Sequence, residues 1–264
     1  MAIPKIIHYC WFGGNQKPKI ADKCMQSWKK YCPDYKIIEW NEDNFDISSC
    51  PIYVKQAYEA KKWAFVTDYV RLKVVYDNGG IYLDTDVELK KNLDRLIDNK
   101  AYFGFEDGIH INTGLGFGAE KGLNILLDMM DDYKDILFIK EDGTFDQKTC
   151  PIRNTEVFLK YGLVQDDSMQ MINGNIKILP SIYLCPISYY TGKYKHSLKT
   201  ISIHWFSGSW QSQESKERYL KYKKELIKAN RKQKIDYIIH LPNMLMIKIL
   251  GKERYENMKN SLKR

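Results

Sequence analysis

The stretch that decides the fold is Trp63 to Leu89, WAFVTDYVRLKVVYDNGGIYLDTDVEL. Across Ala57 to Tyr76 the apolar residues Ala60, Ala64, Val66, Val70, Val74 and Val75 recur near the helical period, and Asn78-Gly79-Gly80 supplies a left-handed stop. Ile81-Tyr82-Leu83 then reads as a short buried strand running directly into Asp84-Thr85-Asp86. An Asp-x-Asp at the end of such a strand puts two carboxylates on one side of the chain where the backbone leaves the sheet. Hard oxygen ligands clustered in this way suit Mg2+ or Mn2+, which bind through one or two carboxylates plus the phosphates of a substrate. A nucleoside diphosphate is therefore the expected ligand. Taken alone the motif is weak, and a solvated turn is the competing account. Asp68 and Arg71, spaced i, i+3, share a helix face and can form one hydrogen-bonding unit close to the strand, although an exposed salt bridge explains them as well.

Working outward, Ile3 to Cys10 reads as a first strand closed by Gly13-Gly14, followed by a helix over Ala21 to Tyr31 and a strand over Lys36 to Trp40. Tyr102 to Glu106, Gly114 to Gly118, Ile176 to Leu179 and Ile201 to Trp205 are further strand candidates, with a helix from Gly122 to Tyr133. Alternating short apolar runs and helical stretches predict an α/β domain. One soft boundary falls near residue 211: residues 1–210 carry 26 Lys and Arg against 27 Asp and Glu, whereas 211–264 carry 15 against 6. The formal charge of +8 is therefore a property of the tail.

At 264 residues and 31.1 kDa, with 44% hydrophobic and 28% charged residues, the chain can bury a core. That composition excludes a disordered or collagen-like chain. No run reaches the roughly 20 apolar residues of a membrane span, and the opening MAIPKIIHYCWFGG lacks a leader pattern, so a cytosolic protein is expected. The six cysteines form no CxxC pair, and reduced, buried thiols are expected.

In order and spacing, the helix, Asp-x-x-Arg, Gly-Gly, strand and Asp-x-Asp of Trp63 to Leu89 resemble the signature of the family 32 glycosyltransferases. That DXD group includes yeast mannosyltransferases and is similar to the glucosylating domains of large clostridial toxins. The resemblance implies a GT-A type, Rossmann-like nucleotide-sugar-binding domain with a central mixed sheet flanked by helices over residues 1–210, and a basic helical extension over 211–264. The opening Ile3 to Gly14 looks like the family's first strand and nucleotide loop, with Trp11 stacking on the base and Gly13 allowing close approach of the diphosphate. His8 within it reads as a core or loop histidine. The resemblance also puts Tyr82 among the donor-binding residues. The resemblance implies that Asp84 and Asp86 position the metal, Asp86 as the direct ligand and Asp84 touching the ribose or the metal through water. His204-Trp205-Phe206-Ser207-Gly208-Ser209-Trp210 is similar to the family's late motif, which implies that His204 or Ser207 completes the metal shell, with His204 favoured, and that Trp210 covers the diphosphate. Asn112 occupies the place of an asparagine that contacts donor-sugar hydroxyls, opposite Asp68 and Arg71, with a plain turn asparagine as the competing account. Thr149-Cys150-Pro151 stands where relatives often have Thr-Gly-Pro, so Cys150 is a departure.

The activity so implied is metal-dependent, retaining hexosyl transfer from a nucleotide sugar to a glycan hydroxyl in capsular or other surface polysaccharide synthesis. The expected donor is UDP-galactose or UDP-glucose, with GDP-mannose implied by the fungal members. Ile235 to Leu250, flanked by lysines, fits docking at an anionic bilayer surface and a lipid-linked acceptor, or simply a helix packed on the domain. A nucleotide-sugar hydrolase using the same aspartates is the first alternative. A nucleic-acid-binding protein is the second, and the tail lacks the aromatic-basic platform it needs.

Overall fold

The computed structural model describes residues 3–189, 191–195 and 197–208, which belong to one compact unit; the second unit, from Gln211 on, lies outside the described residues, as do the helical reading of the tail and Trp210. Strand β1 (Ile6–Cys10), helix α1 (Lys19–Tyr31) and strand β2 (Lys36–Trp40) form the expected βαβ start, with β1 and β2 parallel and His8 opposite Ile38. Helices α2 (Ile52–Glu59) and α3 (Trp63–Asn78) precede β3 (Gly80–Tyr82) and β4 (Val87–Leu89). Then come β5 (Ala101–Gly104), β6 (Phe117–Ala119), α4 (Asn124–Asp131), α5 (Cys150–Lys160), β7 (Gln170–Ile172), β8 (Ile176–Leu179), the single turn α6 (Ser181–Leu184) and β9 (Ser202–His204).

Seven strands make one mixed sheet in the order β2-β1-β3-β6-β5-β8-β7, with β1–β2, β1–β3 and β5–β8 parallel and the other pairs antiparallel. The mixed α/β architecture expected from the sequence is therefore present. Side chains alternate across the sheet with the period of two that strands impose. Tyr82, Phe103 and Phe117 face α2 to α5 in one cluster, while Ile81 and Tyr102 face Trp28 of α1 in the other. Helices cover both faces, which is why the central strands are fully buried.

Three readings differ in detail. The continuous helix from Ala57 is two helices, because Lys61 adopts φ 54° and the chain restarts at Trp63. The strand expected from Gly114 begins only at Phe117, since Asn112 caps a 3-10 turn over Thr113–Leu115 by accepting from the Gly114 N–H at 2.6 Å. The late strand is shorter, Ser202–His204, and pairs with β4 in a separate two-stranded sheet, with Val87 opposite His204. The Asp-x-Asp therefore lies in the turn between two sheets. Gly79 and Gly80 are required at the end of α3. Both have positive φ, and a Cβ on Gly80 would stand 2.8 Å from His8 Nε2 and from the Ile6 carbonyl.

His8 is fully buried and structural. Its Nδ1 accepts from Trp40 Nε1 at 3.0 Å, so the proton sits on Nε2 and is donated to the Gly79 carbonyl at 2.8 Å. The six cysteines are free and buried, as expected.

Candidate active site

The site is assembled from the middle of α3, the β3–β4 turn, the segment before β6 and the end of β9. Asp84 leaves β3 with its carboxylate anchored at both ends of the sequence motif. Tyr82 Oη donates to Asp84 Oδ1 at 2.9 Å, and Arg71 Nη2 stands 3.3 Å from that same oxygen. Arg71 also pairs with Asp68 at 3.2 Å, one turn earlier on α3, and its guanidinium lies 5.1 Å from the centre of the Tyr82 ring. Arg71 is buried, so the alternative of an exposed salt bridge is excluded. A buried guanidinium shared by two carboxylates satisfies its charge while holding both acids in fixed positions.

Asp86 is buried and turns the other way along the turn. One carboxylate oxygen is 3.1 Å from His204 Nε2, and the other accepts from the Ser207 backbone N–H at 2.7 Å. The register of β9 on β4 is what brings His204 there, with the Trp205 N–H donating to the Asp86 carbonyl at 3.1 Å. Ligand atoms of Asp84, Asp86 and His204 all lie within 4.8 Å of one another.

Their different partners push these two carboxylates apart in acidity. For Asp84, burial and the neighbouring Asp86 charge raise the pKa against the opposing pull of Arg71. Burial acts on Asp86 in the same sense, but the His204 charge and the hydrogen bonds from His204 and Ser207 outweigh it, and its pKa is lowered. Burial alone would depress His204; Asp86, with help from Asp84 and Glu106, overrides it and raises the imidazole to about 9. Asp68 is pushed up to about 6, mainly by burial.

This donor set fits a divalent cation. Oxygen and nitrogen ligands around a Mg2+-sized ion stand about 3 Å apart when adjacent and about 4 Å apart when opposed, close to the spread of these three groups. A second observation agrees: His204 Nδ1 is buried and has no hydrogen-bond partner among the described residues, so the ring is an incompletely satisfied polar group among acids. Asp84, Asp86 and His204 are the residues that would hold the ion, with Ser207 bound to Asp86 beside them.

The residues expected on the sugar side from the sequence, Asp68, Arg71 and Asn112, lie next to Asp84. Gly114 would bring a Cβ to 2.5 Å from Asp84 Oδ2 and to 3.0 Å from both Arg71 Nη1 and Asn112 Oδ1, so these three polar atoms surround one point that only a glycine leaves open. Asn112 is buried, and its amide is fixed between the Gly114 N–H and Glu106, to which Nδ2 donates at 2.6 Å. Cys150, at the start of α5, lines the back of this cradle, 3.1 Å from Thr113 Oγ1 and Asn154 Nδ2 and 3.8 Å from Arg71 Nη1.

Trp11, expected from the sequence to stack on a base, is part-exposed just after β1, with Nε1 donating to the Asn15 carbonyl at 2.7 Å and Lys17 Nζ 5.8 Å from its ring. Gly13 packs directly against the Trp63 indole, where a Cβ would come within 2.6 Å, and its N–H donates to Glu42 at 2.7 Å. Sequence reasoning missed Glu106. Its signal was its place at the end of a strand, six residues before Asn112, which only the hairpin-like return of residues 104–112 turns into a contact.

Residues 18–103 match the family of glycosyltransferase sugar-binding regions containing a DXD motif. An inositol phosphoceramide mannosyltransferase 3 of Schizosaccharomyces pombe is 33% identical over 133 residues, covering 49% of this chain and 36% of the relative. The chain thus spans about a third of the length of that relative. Among solved structures, the PaToxG glycosyltransferase aligns with TM-score 0.46 at 17% identity, covering 60% of this chain and 70% of that one. A glycosyltransferase involved in glycosylation of the major capsid of PBCV-1 aligns with TM-score 0.44 at 16% identity, covering 82% and 98%. The segment that is similar to this family contains Asp68, Arg71, Asp84 and Asp86.

Proposed function

We propose that the protein transfers a hexose from a nucleoside diphosphate sugar to an acceptor hydroxyl, using a divalent cation at Asp84, Asp86 and His204. The observation that supports this reading is the grouping of Asp84, Asp86 and His204, with Asp84 also meeting Arg71 and Asn112 beside Gly114. Breaking the anomeric C–O bond leaves negative charge on the β-phosphate, and a bound Mn2+ or Mg2+ supplies the Lewis acid that stabilises it. Trp11 stacks on the base, Asn112 and the Asp68–Arg71 pair hold the hexose, and the buried surroundings strengthen each polar contact. The anomeric configuration is retained through front-side attack, with the departing diphosphate taking the proton of the incoming hydroxyl.

The hexose is glucose, galactose or mannose. The UDP sugars are the expectation from the sequence, and the mannosyltransferase relative supports including GDP-mannose. The acceptor is a glycan, in a lipid-linked form that the basic tail brings to an anionic membrane face, and the setting is surface polysaccharide synthesis in the cytoplasm. Among the described residues no helix is long and apolar enough to cross a membrane.

The test is thermal unfolding against UDP-glucose, UDP-galactose and GDP-mannose, each with and without Mn2+. A donor at 100 times its Kd stabilises by about 2.7 kcal/mol. In a domain of this size that raises Tm by about 5 to 10 °C. One donor should give that shift only with the metal, and Asp86→Asn should abolish it. A flat response to all three donors overturns the reading.

A further inference from the structure

The amide of Asn112 can point either of two ways, and the neighbours decide between them. The Gly114 N–H can only donate, so it takes Oδ1, at 2.6 Å. Nδ2 must then face an acceptor, and Glu106 Oε2 provides it at 2.6 Å. The backbone holds the two side chains in register: Asn112 N–H donates to the Gly104 carbonyl, Glu106 N–H donates to the His110 carbonyl, and Phe105 bridges to Ile111. Glu106 is part-buried, and among the described residues the one hydrogen bond its side chain makes is to the Asn112 amide. One Nδ2 hydrogen remains, and it has no hydrogen bond among the described residues.

We propose that Glu106 is a positioning residue for donor-sugar recognition: its carboxylate locks the Asn112 amide so that the second Nδ2–H donates to a hydroxyl oxygen of the transferred hexose. The inference rests on the transferase reading given above and deepens it. Asn112 reads the sugar as a donor only, and the part of the substrate affected is the hexose alone. Among the described residues Glu106 makes no hydrogen bond to Asp84, Asp86 or His204, so its bond to Asn112 bears on the hexose and not directly on the nucleoside or the cation ligands.

The experiment compares wild type, Glu106→Gln and Glu106→Ala in the full chain with Mn2+. It measures kcat and KM on whichever of UDP-glucose, UDP-galactose and GDP-mannose the wild type turns over, binding of the matching UDP or GDP, and Tm. Losing a hydrogen bond to a charged partner costs about 10- to 100-fold, so Glu106→Ala should lose that much in kcat/KM for the sugar nucleotide. Binding of the free diphosphate should be unchanged. Glu106→Gln keeps a neutral acceptor on Asn112 and should return to within about fivefold of wild type.

Three outcomes overturn the proposal. If Glu106→Gln is as impaired as Glu106→Ala, the charge itself acts on the reacting atoms. If diphosphate binding and Tm fall in step with kcat/KM, the role is structural. If Glu106→Ala equals an active wild type, Glu106 has no role in the site. A wild type inert toward all three donors defeats the transferase reading itself, and the inference falls with it.

Discussion

Replacing Gly114 with alanine tests the geometry of the site without changing any charge. The new Cβ would stand 2.5 Å from Asp84 Oδ2, where ordinary contact begins at 3.4 Å, so the carboxylate must retreat by about 0.9 Å while Arg71 Nη1 and Asn112 Oδ1, each at 3.0 Å, give about 0.4 Å. Asp84 has little room for this, since Tyr82 and Arg71 both hold its other oxygen. The backbone at Gly114 is not in the left-handed region, so the whole effect comes from the collision. A misplacement of about 1 Å in a reacting constellation costs on the order of 100-fold in turnover. Overpacking should cost about 1 to 3 kcal/mol of stability. The matched control is Gly118→Ala, whose Cβ would press on Tyr102 and Ile81 in the core at 2.7 and 3.0 Å, well away from the metal ligands. Mn2+ titration by calorimetry, donor turnover and Tm are measured on both variants. Gly114→Ala should lose metal affinity and about 100-fold in kcat, whereas Gly118→Ala should lose stability alone. A Gly114→Ala protein that binds Mn2+ and turns over donor like wild type would show that Asp84 is no part of the metal or diphosphate grip.

Other expectations concern protons and the base. Burial holds the His8 pKa below its ordinary value, so its contribution to stability is complete above about pH 6.5 and is lost as pH falls below that. In urea titrations between pH 5 and 7, the wild type should lose up to about 1.4 kcal/mol per pH unit relative to His8→Gln, and parallel curves would contradict the assignment. His204 works in the opposite sense, because its pKa is raised to about 9. In metal-free protein its ion pair with Asp86 stabilises fully below about pH 6.5 and is lost as pH rises through about 9. Tm of the metal-free protein should therefore drop over that window, and the drop should be missing in His204→Gln. Mn2+ affinity should climb over the same window, since a ligating imidazole must first lose its proton. Trp11→Ala should raise donor KM by about tenfold or more with kcat nearly unchanged, as expected for loss of base stacking; a fall in kcat at constant KM would place Trp11 elsewhere.

Much of the site was legible because its parts lie close together in sequence. Asp68, Arg71, Tyr82, Asp84 and Asp86 sit on one helix, one glycine turn and one strand, and each of these elements has a local signal that spacing reveals. The break at Lys61 had no such signal, because Ala60 and Ala64 continue the helical apolar pattern and the exposed lysine takes the left-handed position, φ 54°, that usually calls for glycine, with the Lys62 N–H donating back to the Ala57 carbonyl. Gly114 to Gly118 looked like strand because it is apolar, but the Asn112 side chain competes for the backbone and closes a turn first. Helix α5 went unread, although Pro151 in its first turn is a proper start signal and its buried face carries the polar residues Arg153, Asn154 and Thr155. Those polar groups erase the hydrophobic period that pattern reading relies on. Arg153 lies between Tyr53 and Tyr133 and pairs with Asp132 and Asp146, partners that no spacing in the chain discloses.

The pairing of β9 with β4 also affects biosynthesis. Asp86 emerges from the ribosome 121 residues ahead of Ser207, so the nascent chain carries its acids long before the imidazole that completes their set. A product truncated before residue 202 would retain the DXD signature yet lack the strand that delivers the third ligand. On the proposed function, such fragments should neither bind manganese nor consume activated sugar, and adding back residues 202–208 should restore both.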